Sequence, residues 1–339
     1  MNEMNLVSVA EAMVAEGKGI LAIDESTGTC KKRFDSVGVE CTEESRRAYR
    51  EMLLTTPGLS EHISGVILFD ETIRQATADG TTFVKYLENA GILPGIKVDA
   101  GAHTLAGFPS EKITEGLDGL RARLAEYSKI GARFAKWRAV ITIGSNIPSA
   151  ACLNANAHAL ARYAALCQEA NLVPIVEPEV LIDGNHSLDD CFDITEATLH
   201  AVFNQLYEQN IMLEGAILKA SMVISGSEAE HRADIEQVAT ATVQCLLNTV
   251  PAALGGIVFL SGGQSDLEAT AHLDAMNRMG SLPWPLSFSY GRALQAPALK
   301  TWGENPAGNT AAAQRKLAHR AKMNGLAVMG RYEEALESS

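Results

Sequence analysis

Eight short apolar runs, separated by longer amphipathic stretches, constrain the fold of this chain more than any other feature. They occupy residues 19–24 (GILAID), 65–70 (GVILFD), 95–99 (GIKVD), 132–138 (ARFAKWR), 172–177 (LVPIVE), 215–219 (GAILK), 256–261 (GIVFLS) and 286–290 (LSFSY). Each has the length of a strand. Their apolarity is continuous rather than alternating, which fits strands covered on both faces of a parallel sheet. Residues 42–54, 149–170, 195–209, 228–248, 266–279 and 309–325 read as helices. The first of these opens Thr-Glu-Glu-Ser, a cap followed by first-turn acids. The alternation predicts an α/β fold, a (β/α)8 barrel forming one domain over residues 1–332, although a doubly wound sheet would show the same order. The acidic, polar segment 333–339 reads as a loosely ordered tail.

The runs tend to finish on polar residues. In a barrel such ends share one rim, where loops build active sites. Asp24, Lys97, Lys136, Arg138, Glu177, Glu179, Lys219, Ser261 and Arg292 would converge there. Burying a charge without partners costs more than a typical stability margin, so strand ends rich in lysine and glutamate suggest a shared polar site. Lys219 is a candidate amine nucleophile for a carbonyl, because partial desolvation and a neighbouring cation such as Lys136 ease loss of its proton. A surface lysine after a strand is the plain alternative, as is a Lys136 ion pair with Glu177 or Glu179. Glu177 and Glu179 flank Pro178 and point to one side of a strand. Such a pair can divide labour, one carboxyl moving protons and one staying ionised, or it can be a structural ion-pair network. Asp24 reads as a catalytic carboxylate or a helix cap.

Ser261-Gly262-Gly263-Gln264-Ser265 is a glycine-rich turn between a strand and a helix, suited to cradling a phosphate or simply to turning tightly. Ser289-Tyr290-Gly291-Arg292 follows the next strand, and Arg292 would add a bidentate charge. Lys97 and Arg138 could bind a second anionic group across the site. Two cation clusters suggest a substrate with phosphate at both ends.

Composition sets limits. The formal net charge is 28 − 41 = −13, which argues against general nucleic-acid or anionic-membrane binding. The six cysteines form no CxxC pair, the pattern of reduced thiols in a cytoplasmic protein. The eight histidines show no HxH or HExxH spacing, so nothing local proposes a metal site. The N-terminus, with Glu3, Glu11 and Glu16, resembles neither a secretory signal nor a transit peptide. No run approaches the ~20 apolar residues of a membrane span.

Seven motifs together resemble the class I fructose-1,6-bisphosphate aldolases. They are Leu21-Ala22-Ile23-Asp24-Glu25-Ser26-Thr27-Gly28, Gly95-Ile96-Lys97-Val98-Asp99, Phe134-Ala135-Lys136-Trp137-Arg138, Pro174-Ile175-Val176-Glu177-Pro178-Glu179, Leu218-Lys219, Phe259-Leu260-Ser261-Gly262-Gly263-Gln264-Ser265, and Phe288-Ser289-Tyr290-Gly291-Arg292-Ala293-Leu294-Gln295. They span nearly the whole chain in family order. The resemblance implies metal- and cofactor-independent cleavage of fructose 1,6-bisphosphate to dihydroxyacetone phosphate and glyceraldehyde 3-phosphate, in glycolysis and gluconeogenesis. It implies Lys219 as Schiff-base lysine, Glu177 as general acid/base, Asp24 as a positioning and proton-transfer group, and Lys136 and Glu179 as completing the charge network. It assigns Ser261, Gly262, Gly263, Ser289, Gly291 and Arg292 to one phosphate, and Ser26, Thr29, Lys97 and Arg138 to the other. A cytoplasmic homotetramer is the implied assembly.

The chain departs from the family pattern at Ala220-Ser221 and Ala100. It also stops at Ser339 without the terminal tyrosine of animal members, so that residue's role is not carried over. Fructose 1-phosphate and sedoheptulose 1,7-bisphosphate are alternative substrates. A noncatalytic binding protein on the same fold is disfavoured by the presence of Asp24, Lys136, Glu177 and Lys219, and a zinc aldolase by the absence of histidine-rich motifs.

Overall fold

The computed structural model describes residues 5–338, and expectations for residues 1–4 and Ser339 lie outside the described residues. All eight apolar runs become strands: β1 Gly19–Ile23, β2 Ile63–Leu68, β3 Leu93–Lys97, β4 Phe134–Ile141, β5 Val173–Val180, β6 Ile217–Ala220, β7 Gly256–Phe259 and β8 Leu286–Tyr290. Each pairs in parallel with its sequence neighbours, and β8 pairs back onto β1 to close a (β/α)8 barrel. Helices cover the outside: α1 Leu6–Met13, α2 Thr27–Asp35, α3 Glu43–Leu54, α4 Asp70–Ile73, α5 Phe83–Asn89, α6 Leu120–Ile130, α7 Ala150–Glu169, α8 Leu188–Glu208, α9 Ile235–Thr249, α10 Asp266–Arg278, α11 Arg292–Glu304 and α12 Thr310–Val328.

Caps decide where helices differ from the sequence reading. α8 begins at Leu188 rather than 195, because Ser187 and Asp190 form a reciprocal capping box. α9 begins at Ile235 rather than 228, because Asp234 and Gln237 do the same there. A two-stranded hairpin, Gly101–Leu105 with Phe108–Glu115, was not expected. It is anchored to the barrel where Thr114 Oγ1 donates to the Arg138 carbonyl at 2.8 Å.

Strand alternation sorts the side chains. Ala135, Trp137 and Ala139 face the helices, as do Leu218 and Ala220. Ile20, Ala22, Phe134, Val173, Ile175, Ile217 and Val258 face inward and pack with Val9, Ala10, Met13 and Val14. Thus α1, unexpected from sequence, closes the N-terminal mouth of the barrel with its apolar face. The next inward positions, Asp24, Lys136, Arg138, Glu177, Glu179 and Lys219, line a cavity at the opposite mouth. The barrel interior is therefore dry at one end and charged at the other.

The C-terminal segment corrects the expectation of a loosely ordered tail. Glu334–Ser338 forms a 3-10 turn. Within it Glu337 accepts from Arg320 Nη1 at 2.5 Å and from His319 Nε2 at 2.9 Å. Arg320 is only 3% exposed. A guanidinium that deep requires a carboxylate, and the tail supplies it. Among the described residues no helix is long and apolar enough to cross a membrane.

The inward packing leaves little slack. A Cβ on Gly95 would stand 2.1 Å from the Phe134 ring, so even a methyl forces the barrel core to move. Gly95→Ala is expected to cost about 3 kcal/mol, the upper end of overpacking effects. Urea unfolding would measure the loss, and a wild-type midpoint would count against this packing.

Candidate active site

Strand register places the central charged groups at the barrel's C-terminal mouth. β4 and β5 pair Arg138 with Glu177, and β3 and β4 pair Lys97 with Lys136. The side chains enclose a cavity of about 540 Å³. Of the residues singled out from sequence, Asp24, Ser26, Thr29, Lys97, Lys136, Arg138, Glu177, Glu179, Lys219, Ser261, Gly262, Ser289, Gly291 and Arg292 all line it. Gly263 does not. It sits in the turn behind, with φ of 92° and Arg292 Nη2 3.9 Å from the position a Cβ would take.

At the centre is a chain of alternating charges. Lys136 Nζ lies 2.6 Å from Asp24 Oδ2 and 3.2 Å from Glu177 Oε2. Lys219 Nζ lies 3.0 Å from Glu177 Oε1. The Glu177 carboxylate thus bridges two ammonium groups. Burial alone would push the Asp24 carboxyl up, but Lys136 and then Lys219 outweigh it and bring it down to about 2. The same contest, burial against Lys136, Lys219 and Arg138, leaves Glu177 below the usual carboxylate range. Burial opposes the charge on Lys136, yet Asp24, Glu177 and Asp99 together hold its pKa above the ordinary lysine value. Lys136 is therefore a fixed cation.

Further out the charges pair two by two. Arg138 Nε contacts Glu179 Oε2. Lys97 Nζ lies 2.6 Å from Asp99 Oδ1. Arg33 contacts Glu25. Sequence reasoning expected Glu179 to join the lysine network, but it pairs with Arg138. Asp24 is not a helix cap: Ser26 caps α2, accepting from Thr29 N.

Arg33 and Glu25 were missed as lining residues. Arg33 follows Thr29 by four positions, so both lie on one face of α2, a signal readable only once that helix is drawn. The lining holds Arg33, Lys97, Lys136, Arg138, Lys219 and Arg292 against Asp24, Glu25, Asp99, Glu177 and Glu179. All five carboxylates are paired, and among the described residues Arg292 is left without an ion pair. Ser289, in the same lining, is 1% exposed, and among the described residues its hydroxyl has no hydrogen-bond partner.

Such a mouth defines an α/β-barrel enzyme with a lysine–carboxylate centre. The family model for class-I fructose-bisphosphate aldolase matches residues 5–339. A Xanthomonas campestris protein named "Probable fructose-bisphosphate aldolase class 1" is 64% identical over 98% of this chain and 100% of its own length. The Dictyostelium discoideum fructose-bisphosphate aldolase is 52% identical over 96% of this chain and 92% of its own. A solved structure of the Plasmodium falciparum fructose-bisphosphate aldolase, in complex with TRAP and a small-molecule inhibitor, superposes with a TM-score of 0.95 at 48% identity, covering 97% of this chain and 95% of that one. The chain belongs to the class-I fructose-bisphosphate aldolase family. Its members are lyases, and cleavage of fructose 1,6-bisphosphate in glycolysis is the family function.

The charge chain sets an acid limit. Asp24 is depressed on folding, from 3.8 to about 2. Its contribution is fully present above pH ~4 and lost as pH falls toward ~2, a swing of roughly 2 kcal/mol. Asp24→Asn, which cannot titrate, should show a shallower loss of urea stability between pH 5 and pH 3 than the wild type. Parallel pH profiles would mean that Asp24 is not held down by Lys136.

Proposed function

We propose that Lys219 forms the Schiff base through which this protein cleaves fructose 1,6-bisphosphate. The observation that carries this reading is the 3.0 Å contact between Lys219 Nζ and Glu177 Oε1, with Lys136 held as a permanent cation on the carboxylate's other oxygen. Both ammonium groups touch Glu177, but Lys136 is also held by Asp24, which leaves Lys219 as the one to hand its proton to Glu177 and become an amine.

The steps follow from that geometry. Lys219 passes a proton to Glu177, and the free amine adds to the C2 ketone. Proton transfer from nitrogen to oxygen gives a neutral carbinolamine. Glu177, now a carboxylic acid, protonates the C2 hydroxyl; water leaves, and the C2–nitrogen pair becomes a protonated iminium. Glu177, again a carboxylate, takes the C4 hydroxyl proton. The C3–C4 electron pair flows into the iminium and glyceraldehyde 3-phosphate departs. Protonation of the enamine at C3 and hydrolysis release dihydroxyacetone phosphate and restore Lys219. Asp24 positions substrate and Lys136 stabilises each anionic state of Glu177.

Ser261, Gly262, Ser289, Gly291 and Arg292 hold the C1 phosphate, and Gly263 shapes the turn behind them. The unpaired Arg292 and the orphaned Ser289 hydroxyl support this assignment. A phosphate there gives the guanidinium its counter-ion and the hydroxyl its acceptor. Ser26, Thr29, Lys97 and Arg138 serve the C6 phosphate, and Glu179 orients Arg138. We extend the proposal to a single-domain barrel acting as a cytoplasmic homotetramer; the 51%-identical Arabidopsis thaliana aldolase 4, named as cytosolic, supports the location.

Borohydride reduction with dihydroxyacetone phosphate, followed by peptide mass mapping, tests the chemistry. An adduct on Lys219 is the expected result; folded, ligand-binding protein without one would overturn the mechanism. Lys219→Ala should lower kcat by at least about 10³-fold, the scale on which a covalent step is lost. Arg292→Ala should raise KM by about tenfold or more with kcat less affected, since it removes a charge-assisted pair. An unchanged KM would remove Arg292 from the phosphate site.

A further inference from the structure

The turn after β7 is held from behind by a buried amide. Gly262 and Gly263 have φ of 48° and 92°. Two successive glycines make a loop that loses much conformational freedom when it is ordered. Gln264 N closes the turn onto the Ser261 carbonyl at 2.8 Å. The Gln264 side chain, 8% exposed, then reaches two ways. Its Oε1 lies 2.7 Å from His272 Nδ1, and its Nε2 lies 3.5 Å from Met222 Sδ.

This arrangement selects one orientation of the amide. A thioether is a weak acceptor and no donor, so the NH2 faces Met222 and the carbonyl faces the imidazole. Nδ1 of His272 therefore carries the proton and donates. His272 is 4% exposed, on α10 seven residues beyond the Ser265 cap. Burial, only partly opposed by Glu268, brings its pKa down to about 4, so the ring is neutral near pH 7. Met222 lies three residues past Lys219. One buried amide thus ties together the glycine turn, α10 and the chain leaving β6.

We propose that His272 is a positioning residue: through Gln264 it orders the glycine turn before substrate arrives, so that substrate binding does not have to order it. The proposal rests on the reading of that turn as a phosphate cradle. His272 touches no substrate and no reacting atom.

The test compares His272→Leu, His272→Asn and Arg292→Ala in the full-length protein. In His272→Leu, KM for fructose 1,6-bisphosphate and the Ki of inorganic phosphate should both rise roughly 5- to 10-fold, the effect of one buried hydrogen bond, with kcat changed much less. His272→Asn should restore both constants, because its Nδ2 can take the place of Nδ1 as donor. A purely structural role predicts a lowered Tm in His272→Leu with KM and Ki unchanged, and that result overturns the proposal. Should His272→Leu fail to fold, Gln264→Met removes the same amide with little change in volume and should give the same rise. Borohydride labelling of Lys219 in each variant confirms an intact reaction centre. If Arg292→Ala raises KM and His272→Leu does not, only the positioning role falls. If neither raises KM, the phosphate reading falls, and this proposal with it.

Discussion

Four buried charges, Asp24, Lys136, Glu177 and Lys219, bind the design of this molecule together. Alone, each would cost several kcal/mol in a barrel interior. In sequence alternation the net charge is zero, and every group touches an opposite one. The chain is also asymmetric. Lys136 is held by two carboxylates, while Lys219 has one. In the proposed mechanism that difference separates the lysine that stays a cation from the one that acts as the amine, so the contact that makes burial possible is also the one through which the proton would move.

The charge chain needs a dry floor and a wet rim. The floor is the apolar layer of Ile20, Ala22, Phe134, Val173, Ile175, Ile217 and Val258, sealed by α1. The rim is a set of paired ions around Arg292, whose guanidinium is unpaired among the described residues. Low dielectric below strengthens the Lys219–Glu177 contact, and solvent above admits a doubly anionic substrate. Behind the rim, neutral side chains take over. His272, Gln264 and Met222 shape the glycine turn without adding charge, so its order can be set apart from the titrations at the centre.

Much of this was legible in the residues. The eight apolar runs all became strands, because a segment buried on both faces must be apolar along its length. The polar residue ending each run marked the mouth, because alternation lets only every second strand-end residue point inward. Seven motifs in family order then named the chemistry. What stayed hidden depended on partners distant in the chain. Helix α1 is short, and its role is visible only beside the barrel interior it covers. The hairpin at 101–115 is polar and only partly buried, without the continuous apolarity used to find strands. Arg33 lines the cavity because α2 runs alongside it, and Glu25, which precedes that helix, is its ion partner. Glu337 orders the tail because it pairs with the Nη1 of the buried Arg320.

By itself the sequence determined the barrel and the identity of the groups at its mouth, because period, length and residue type are local properties that each run carries. Only the tertiary structure decided who pairs with whom. That Glu177 bridges two lysines while Glu179 turns to Arg138, and that Asp24 neutralises Lys136 rather than capping a helix, are consequences of strand stagger and closure. Electrostatic roles follow from distances of a few ångströms between residues far apart in the chain, and only closure of the barrel sets those distances.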